Sequence, residues 1–504
     1  MKNEEILLED LFNIDLMCIY GDVDSKHNLF LKDWLKENDQ RKLFFVEDDE
    51  KKFKKIKKTI DLDFNNKNVK TIFLEKPYKK LLEIAWEGVY LNLKIAKFSS
   101  EKRDQKFQEI SDLLNEYHIG ANVTSYVYSD FGISIFENVY NNLFKTSSFI
   151  LFENLKDRFK NIPAVIVGAG PSLDKNIHLL DDMYDKALIF AGGSAINVFS
   201  KKNIRFHFSA HVDQGLFFKR FKNNHFFENL FFYQNRVNHN NLSLVQANKV
   251  LFPPCSSFPL ESWIYDKLDL TQPSYETGWN VTTFLIRIAQ LMGCNPITFV
   301  GLDLSFKKKK YSKGVTKEKD SYQLHQVKDI NNNTVFTQKD WIVAKKWIEE
   351  FALNNPRTKF LNATEGGLKI ENIADIKLLD LIDICKNSCD LDGYVKSVYN
   401  NEKKIKLEKE KVIQVLKIIN DSLKNCNDLC DIMLNENPSL EIDSSLLRFQ
   451  KEVFYTHLLD PFWQIWKHVI LRNVEDDEVH ILINKLIFFK NIISEHLKIM
   501  EKFL

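Results

Sequence analysis

Short apolar runs alternate with amphipathic stretches through the middle third of this chain, and that alternation is its clearest structural signal. The runs Ala164–Val167, Ala187–Phe190, Phe206–Ala210, Leu230–Tyr233, Val250–Phe252 and Ile297–Val300 have the length and apolar continuity of buried strands. Among them lie Leu173–Met183, Ala195–Lys201, Asn280–Met292 and Asp340–Leu353, which repeat apolar positions at helical spacing. This order predicts an α/β fold: a central Rossmann-like, mostly parallel sheet covered by helices on both faces. In such folds the ligand lies beyond the carboxyl ends of the strands.

The two flanks have different patterns. Near the start, Leu16–Tyr20, Gly21, a helical stretch Asn28–Lys36 and Lys42–Asp49 outline a strand, turn, helix and strand ending in acid. That is a nucleotide-binding outline, but the turn Gly21-Asp22-Val23-Asp24-Ser25 lacks the repeated glycines that let phosphate approach backbone. A structural or docking role is the preferred reading of this smaller N-terminal α/β domain. The lysine-rich run Lys51–Lys58 reads as the solvated face of the next helix, with an anionic partner as the alternative. After residue 372 only one glycine, Gly393, and two prolines, Pro438 and Pro461, remain, so a C-terminal all-α helical bundle is expected. Its helices are placed at Ile373–Lys386, Glu402–Leu434, Ser444–Arg472 with a break at Pro461, and Val479–Leu504. Residues Val412, Val415, Leu416, Ile419, Leu423, Cys426 and Cys430 form an amphipathic stripe. The group Phe454, Tyr455, Phe462, Trp463 and Trp466 is either core or, if exposed, an interaction surface. The expected division is 1–150, 151–372 and 373–504, in keeping with about 150 residues per domain for a chain of 504.

Composition narrows the classes. Seventy basic residues against sixty-nine acidic ones leave a net charge of +1, without the basic excess of a nucleic-acid binder. No uncharged run of about 18 apolar residues predicts a membrane span, and the charged start is unlike a signal peptide, so a cytoplasmic protein is expected. Seven cysteines do not resemble a disulfide framework. Cys385/Cys389 and Cys426/Cys430 are each one helical turn apart. They can be small core residues, the favoured reading, or a zinc or redox site.

Eleven of the sixteen glycines and eight of the eleven prolines fall between residues 161 and 370, so the shaped loops lie there. In VIVGAGPSLDKNI (Val165–Ile177) a strand runs into Gly168, Gly170 and Ser172 just before a helix. This suits a phosphate-bearing ligand, or a turn needed only for packing. It is neither a Walker loop nor a full GxGxxG. A second bend carries Gly192, Gly193 and Ser194. A third carries His211 and Asp213, the latter able to read a ribose hydroxyl or to cap a helix. Glu276, Thr277, Gly278 and Asn280 precede an amphipathic helix, and Asp303 follows the strand Ile297–Val300. Several distant bends offering small or polar groups to one crevice is the strongest signal in the chain.

The segments VIVGAGPSLDKNI, ETGWNVTTF…LMGCNPITFVGLDLSF and NATEGG (Asn362–Gly367) resemble the bacterial motility accessory factor (Maf) family with its MptE-like domain. They are also similar to bacterial CMP-sialic acid sialyltransferases, whose first loop reads AGNGPSL and whose last strand ends in GIDFY. The likeness covers roughly residues 150–370. It implies a sialyltransferase-like central domain and a flagellin glycosyltransferase that attaches a nonulosonic acid, pseudaminic, legionaminic or related, to serine or threonine. It implies a CMP-activated donor, inverting transfer, no metal and no other cofactor. By the same likeness Gly168, Gly170 and Ser172 lie at the phosphate and ribose, although Ala169 replaces an asparagine. Gly192, Gly193, Ser194 and Asp213 fall at the cytidine and sugar. Thr277 and Gly278 match the pair that holds the sugar carboxylate, and Asn280 and Asp303 complete the binding set. Tyr311 matches a lid tyrosine that bonds the departing phosphate. Its partner tyrosine is replaced near Ser305 and Phe306, and the lid reads FKKKKYSKG. The family's basic histidine is missing from Asn333–Trp341, leaving His325 and His211 as candidate bases, each with the alternative of a packing or surface role. Two rival functions remain: a 6-hydroxymethylpterin pyrophosphokinase, which needs ATP, magnesium and clustered carboxylates, and a non-catalytic binding protein that keeps the fold.

Overall fold

The computed structural model describes residues 13–64, 66–98, 104–215, 229–254, 259–306, 324–385, 388–435, 440–472, 474 and 477–504. The chain divides into two compact units, Met1–Asp130 with Trp463–Asn484, and Phe131–Phe462 with Lys485–Leu504. Residues 131–150 thus make their contacts in the larger unit, and 463–484 in the smaller.

In the smaller unit β1 (Leu16–Tyr20), β2 (Lys42–Glu47), β3 (Val69–Phe73) and β4 (Leu93–Ala96) form a parallel sheet in the order β3-β2-β1-β4. Period-two alternation divides its strands between two cores. Met17, Ile19, Leu43 and Phe45 pack with Leu31, Trp34, Ile56 and Ile60 on one face. Leu16, Cys18, Tyr20, Phe44 and Val46 pack with Leu81, Ile84, Ile110 and Leu114 on the other. Burial on both faces explains why these strands read as continuous apolar runs. The acid that ends β2, Glu47, is buried and accepts from its own Asp48 and Asp49 amides at 2.9 Å each. The lysine run lies on helix Glu50–Asp63, where Ile56 and Ile60 face inward while Lys51, Lys54, Lys55, Lys57 and Lys58 are exposed.

The larger unit holds a nine-stranded sheet of β5 (Ile150–Leu151), β6 (Ala164–Val167), β7 (Leu188–Gly192), β8 (Phe208–His211), β9 (Leu230–Tyr233), β10 (Asn248–Leu251), β11 (Ile297–Val300), β14 (Phe360–Asn362) and β15 (Ala374–Asp375). A separate antiparallel hairpin pairs β12 (His325–Lys328) with β13 (Thr334–Thr337). The sheet order is β15-β14-β11-β6-β7-β8-β9-β10-β5, and every pair is parallel. The chain leaves β6 in one direction through β7 to β10, then returns to β11 on the other side of β6. Strand order therefore reverses between β6 and β11, the place where open α/β sheets bind ligands. Helix Val281–Leu291 crosses beneath β6, β7, β8 and β11, burying Phe284, Leu285, Ile286, Ile288 and Ala289.

The fold is α/β with a C-terminal helical region, as expected. The predicted helix Leu173–Met183 is a single α-turn, Leu173–Asn176, continued as the tighter 3-10 form over Ile177–Met183. The helix expected over Ile373–Lys386 is shorter: Ala374–Asp375 adds a strand to the sheet before the helix Leu378–Ile384 begins. The stripe on helix Lys409–Asn435 is buried, Cys426 and Cys430 included, and burial pushes both thiols up, away from the thiolate. Cys385 is buried and Cys389 exposed, and among the described residues no three His, Cys, Asp or Glu side chains group as metal ligands. Of the aromatic group, Phe454, Tyr455, Phe462 and Trp463 are buried and Trp466 is half-buried, so the group is not an exposed surface. Near the chain end His496 is fully buried, with its Nε2 2.7 Å from the Tyr140 hydroxyl, and burial pulls its imidazole down to about 3. Among the described residues no helix is long and apolar enough to cross a membrane.

Candidate functional site

The bends after β6, β11 and β14 are welded together at the reversal point. Gly168 donates to Val300 O and Gly170 to Gly301 O, both at 2.8 Å. The approach is so close that a Cβ on Gly168 would lie 2.5 Å from Gly301 O, and one on Gly170 would lie 2.0 Å from Asp303 Oδ2. Asp303 is buried and accepts from Ser172 Oγ at 2.6 Å and from Ser172 N at 3.2 Å. Burial raises its carboxyl to about 6, against the opposing pull of the Ser172 bonds. Between the β11 and β14 bends, Leu302 N donates to Thr364 Oγ1 at 3.2 Å and Leu368 N to Asp303 O at 2.9 Å. Asn176 reaches Glu365 Oε1 at 3.2 Å, and that oxygen also accepts from Leu378 N.

This arrangement changes what the first bend can offer a ligand. The amides of Gly168, Gly170, Ser172 and Leu173 are all spent inside the protein, and Pro171 has none. Within the bend, Ala169 carries the amide with no partner among the described residues. Ser172 and Asp303 satisfy each other, so their first role in this structure is to hold the bend.

The second bend is more open. Gly192 and Gly193 pass directly over Val281, with a Cβ on Gly192 falling 2.8 Å from Val281 Cγ2, and Gly193 has φ +51°. The following helix, Ser194–Lys202, starts at Gly193 with no side-chain cap, which leaves its first amides without a side-chain acceptor. At the neighbouring helix start Asn280 caps its own helix instead. Its Oδ1 accepts from Thr282 N at 2.9 Å and Thr283 N at 3.0 Å, while Thr283 Oγ1 accepts from Asn280 N. Gly278, at φ +70°, lies against Thr283 and Trp347, and Glu276 accepts from Trp347 Nε1 at 2.6 Å. The nearly buried Thr277 hydroxyl makes no hydrogen bond among the described residues, so it is available to a ligand.

At the third bend His211 is buried, with Nδ1 3.6 Å from Asp213 Oδ2 and Nε2 3.4 Å from Asn241 Nδ2. A donor amide at Nε2 is matched by the tautomer that carries its proton on Nδ1, on the side of Asp213. In that tautomer His211 has no lone pair to offer a substrate. Asp213 is partly exposed. His325 stands on β12 opposite Thr337, whose hydroxyl donates to Leu304 O at 2.7 Å. The hairpin is further tied by Phe306 N to Phe336 O at 2.8 Å and Ile330 N to Gly367 O at 2.9 Å, so it lies over the β11 and β14 bends. His325 Nε2 is buried without a partner among the described residues. Tyr311 and Lys307–Lys310 lie outside those residues, as does Cys255.

One group escaped the sequence reading. Glu261, on helix Pro259–Lys267, is fully buried beside Tyr265 and Arg236, and burial outweighs both of them to raise its carboxyl to about 7. An acid on a helix beginning at a proline looks like an ordinary first-turn charge, so no sequence signal marked it.

A parallel sheet whose strand order reverses in this way is a Rossmann-like architecture, and residues 137–309 match the family model described as 6-hydroxymethylpterin diphosphokinase MptE-like. The same fold occurs in the solved structure of the MAf glycosyltransferase from Magnetospirillum magneticum AMB-1. The two chains are 13% identical with a TM-score of 0.54, over 97% of this chain and 79% of that one. No curated protein matches.

Proposed function

We propose that this protein is a glycosyltransferase that moves a nonulosonic acid from its CMP-activated form to serine or threonine hydroxyls of flagellin in the cytoplasm, with inversion. The observation that carries the reading is the gathering of the β6, β7 and β11 bends and the Thr277–Gly278 turn at one rim, where strand order reverses. The uncapped start of helix Ser194–Lys202 suits the phosphate, because its free amides and helix dipole favour an anion. Thr277 has the free hydroxyl for the sugar carboxylate. In the reaction the acceptor oxygen attacks the anomeric carbon, the bond from that carbon to the phosphate oxygen breaks, and CMP leaves with the electron pair. The acceptor's proton passes to His325, whose Nε2 has no hydrogen-bond partner among the described residues, rather than to His211, whose Nε2 faces the Asn241 amide. Asp213 serves the sugar or ribose, and by the family likeness Tyr311 is the residue that bonds the departing phosphate. No metal or other cofactor enters the scheme.

CMP at a hundredfold excess over its Kd should stabilise the protein by about 2.7 kcal/mol, read as a rise in melting temperature. Thr277→Ala should leave the rise with CMP alone in place and remove most of the additional rise given by the CMP-linked sugar, whose carboxylate Thr277 holds. Stabilisation by ATP with magnesium, with none from CMP, would instead favour the diphosphokinase named by the family match. For the chemistry, intact flagellin should gain the mass of one or more nonulosonic acids on incubation with enzyme and donor. His325→Gln should slow this by about 10²–10⁴-fold while leaving CMP stabilisation in place. A loss confined to His211→Gln would reverse the assignment of the base.

A further inference from the structure

Helix Ser134–Lys145 turns three asparagines, Asn138, Asn141 and Asn142, into the larger unit. Asn142 Nδ2 donates to Asn235 O at 2.7 Å and Val237 O at 2.8 Å. Asn138 Nδ2 reaches Arg236 O and Gln214 O at 3.4 Å each, and its Oδ1 accepts from His239 N at 3.2 Å, with His239 Nδ1 at 2.9 Å. The bend after β9 is therefore pinned from below by two side chains one helical turn apart.

That bend then holds its neighbour. Asn238 N donates to Asp213 O at 3.2 Å and Asn238 Nδ2 to Gln214 O at 3.3 Å, while Asn241 Nδ2 reaches Gly215 O at 3.0 Å and His211 Nε2. Three consecutive carbonyls, of Asp213, Gln214 and Gly215, are fixed in this way. A primary amide suits the task because it carries two donors and an acceptor without a charge, so it can be buried once it is bonded.

We propose that Asn138 and Asn142 are positioning residues: through the bend after β9 they set the tautomer of His211 and hold Asp213 at the rim where the donor binds. The link to the donor rests on the function proposed above, whereas the link to His211 does not. In full-length protein labelled with 15N-histidine, with the His211 resonances assigned by difference from His211→Gln, long-range proton–nitrogen correlations should show the Nδ1–H tautomer. Asn138→Ala and Asn142→Ala should each turn this into a tautomer mixture and raise the Kd for CMP at least fivefold, with a cooperative melt retained. If either alanine variant fails to fold, the milder Asn138→Ser is read by the same signal. An unchanged His211 spectrum in the folded variants overturns the proposal. Absence of CMP binding by the wild-type protein overturns the donor reading alone, because the histidine signal still decides the positioning.

Discussion

Gly367→Ala is expected to be among the most damaging single-methyl changes in the larger unit, costing about 2–5 kcal/mol. Gly367 has φ +75°, and a Cβ there would lie 2.3 Å from both the Cα and the carbonyl oxygen of Asp303. The left-handed backbone alone costs a side chain roughly 1–2 kcal/mol, and overpacking typically adds about 1–3 kcal/mol. The atoms in the way are backbone, and they belong to the residue that accepts from Ser172, so no side chain can swing aside. Relief requires the β11 and β14 bends to separate, which also loosens the β6 bend. Gly366→Ala is the internal control, because its Cβ meets Ser172 Cβ at 3.2 Å and Asp303 Oδ1 at 3.3 Å without a positive φ. Urea denaturation of both should put Gly367→Ala well below Gly366→Ala. Equal midpoints would mean that the three bends are not welded as described.

Glu261→Gln should have the opposite sign and a marked pH dependence. The carboxyl of Glu261 titrates near 7 in the fold, raised from 4.5 first of all by burial, with Arg236 and Tyr265 pulling the other way. A carboxyl raised by folding contributes no penalty below its unfolded value, where it is neutral in both states. The penalty grows as pH rises from 4.5 and is complete above 7, where ionising the buried group costs about 3 kcal/mol. Glutamine keeps the shape and never ionises, so the variant should match the wild type near pH 4.5 and exceed it at pH 8. Thermal melts across that range measure the difference. A gain that is the same at both ends would show that Glu261 is not desolvated.

The strands Ala164–Val167, Leu230–Tyr233 and Ile297–Val300 were legible to the residue, because strands buried on both faces leave no polar position to blur their ends. Phe360–Asn362 and Ala374–Asp375 were not, since two or three residues cannot show a period. The hairpin His325–Lys328 with Thr334–Thr337 was missed because its strands are half exposed and mixed in polarity. Of the candidate site, the glycines marked where backbone must pass close to backbone. Which groups remain free for a ligand was not readable. Ser172 and Asp303 look like two independent donors and acceptors along the chain, 131 residues apart, yet they are bonded to each other. Asn280 caps its helix, and His211 spends its lone pair on Asn241.

What the sequence determined by itself was the parallel sheet, the crossing helix and the positions of the tight bends, because these follow from local pattern and from the absence of a Cβ. Only the tertiary structure decided the order of the strands, and with it the reversal between β6 and β11 that brings the bends together. It also decided which polar groups are consumed there and which stay open, since a hydrogen bond between residues far apart in the chain depends on where the fold puts them and leaves no mark on the residues beside either one.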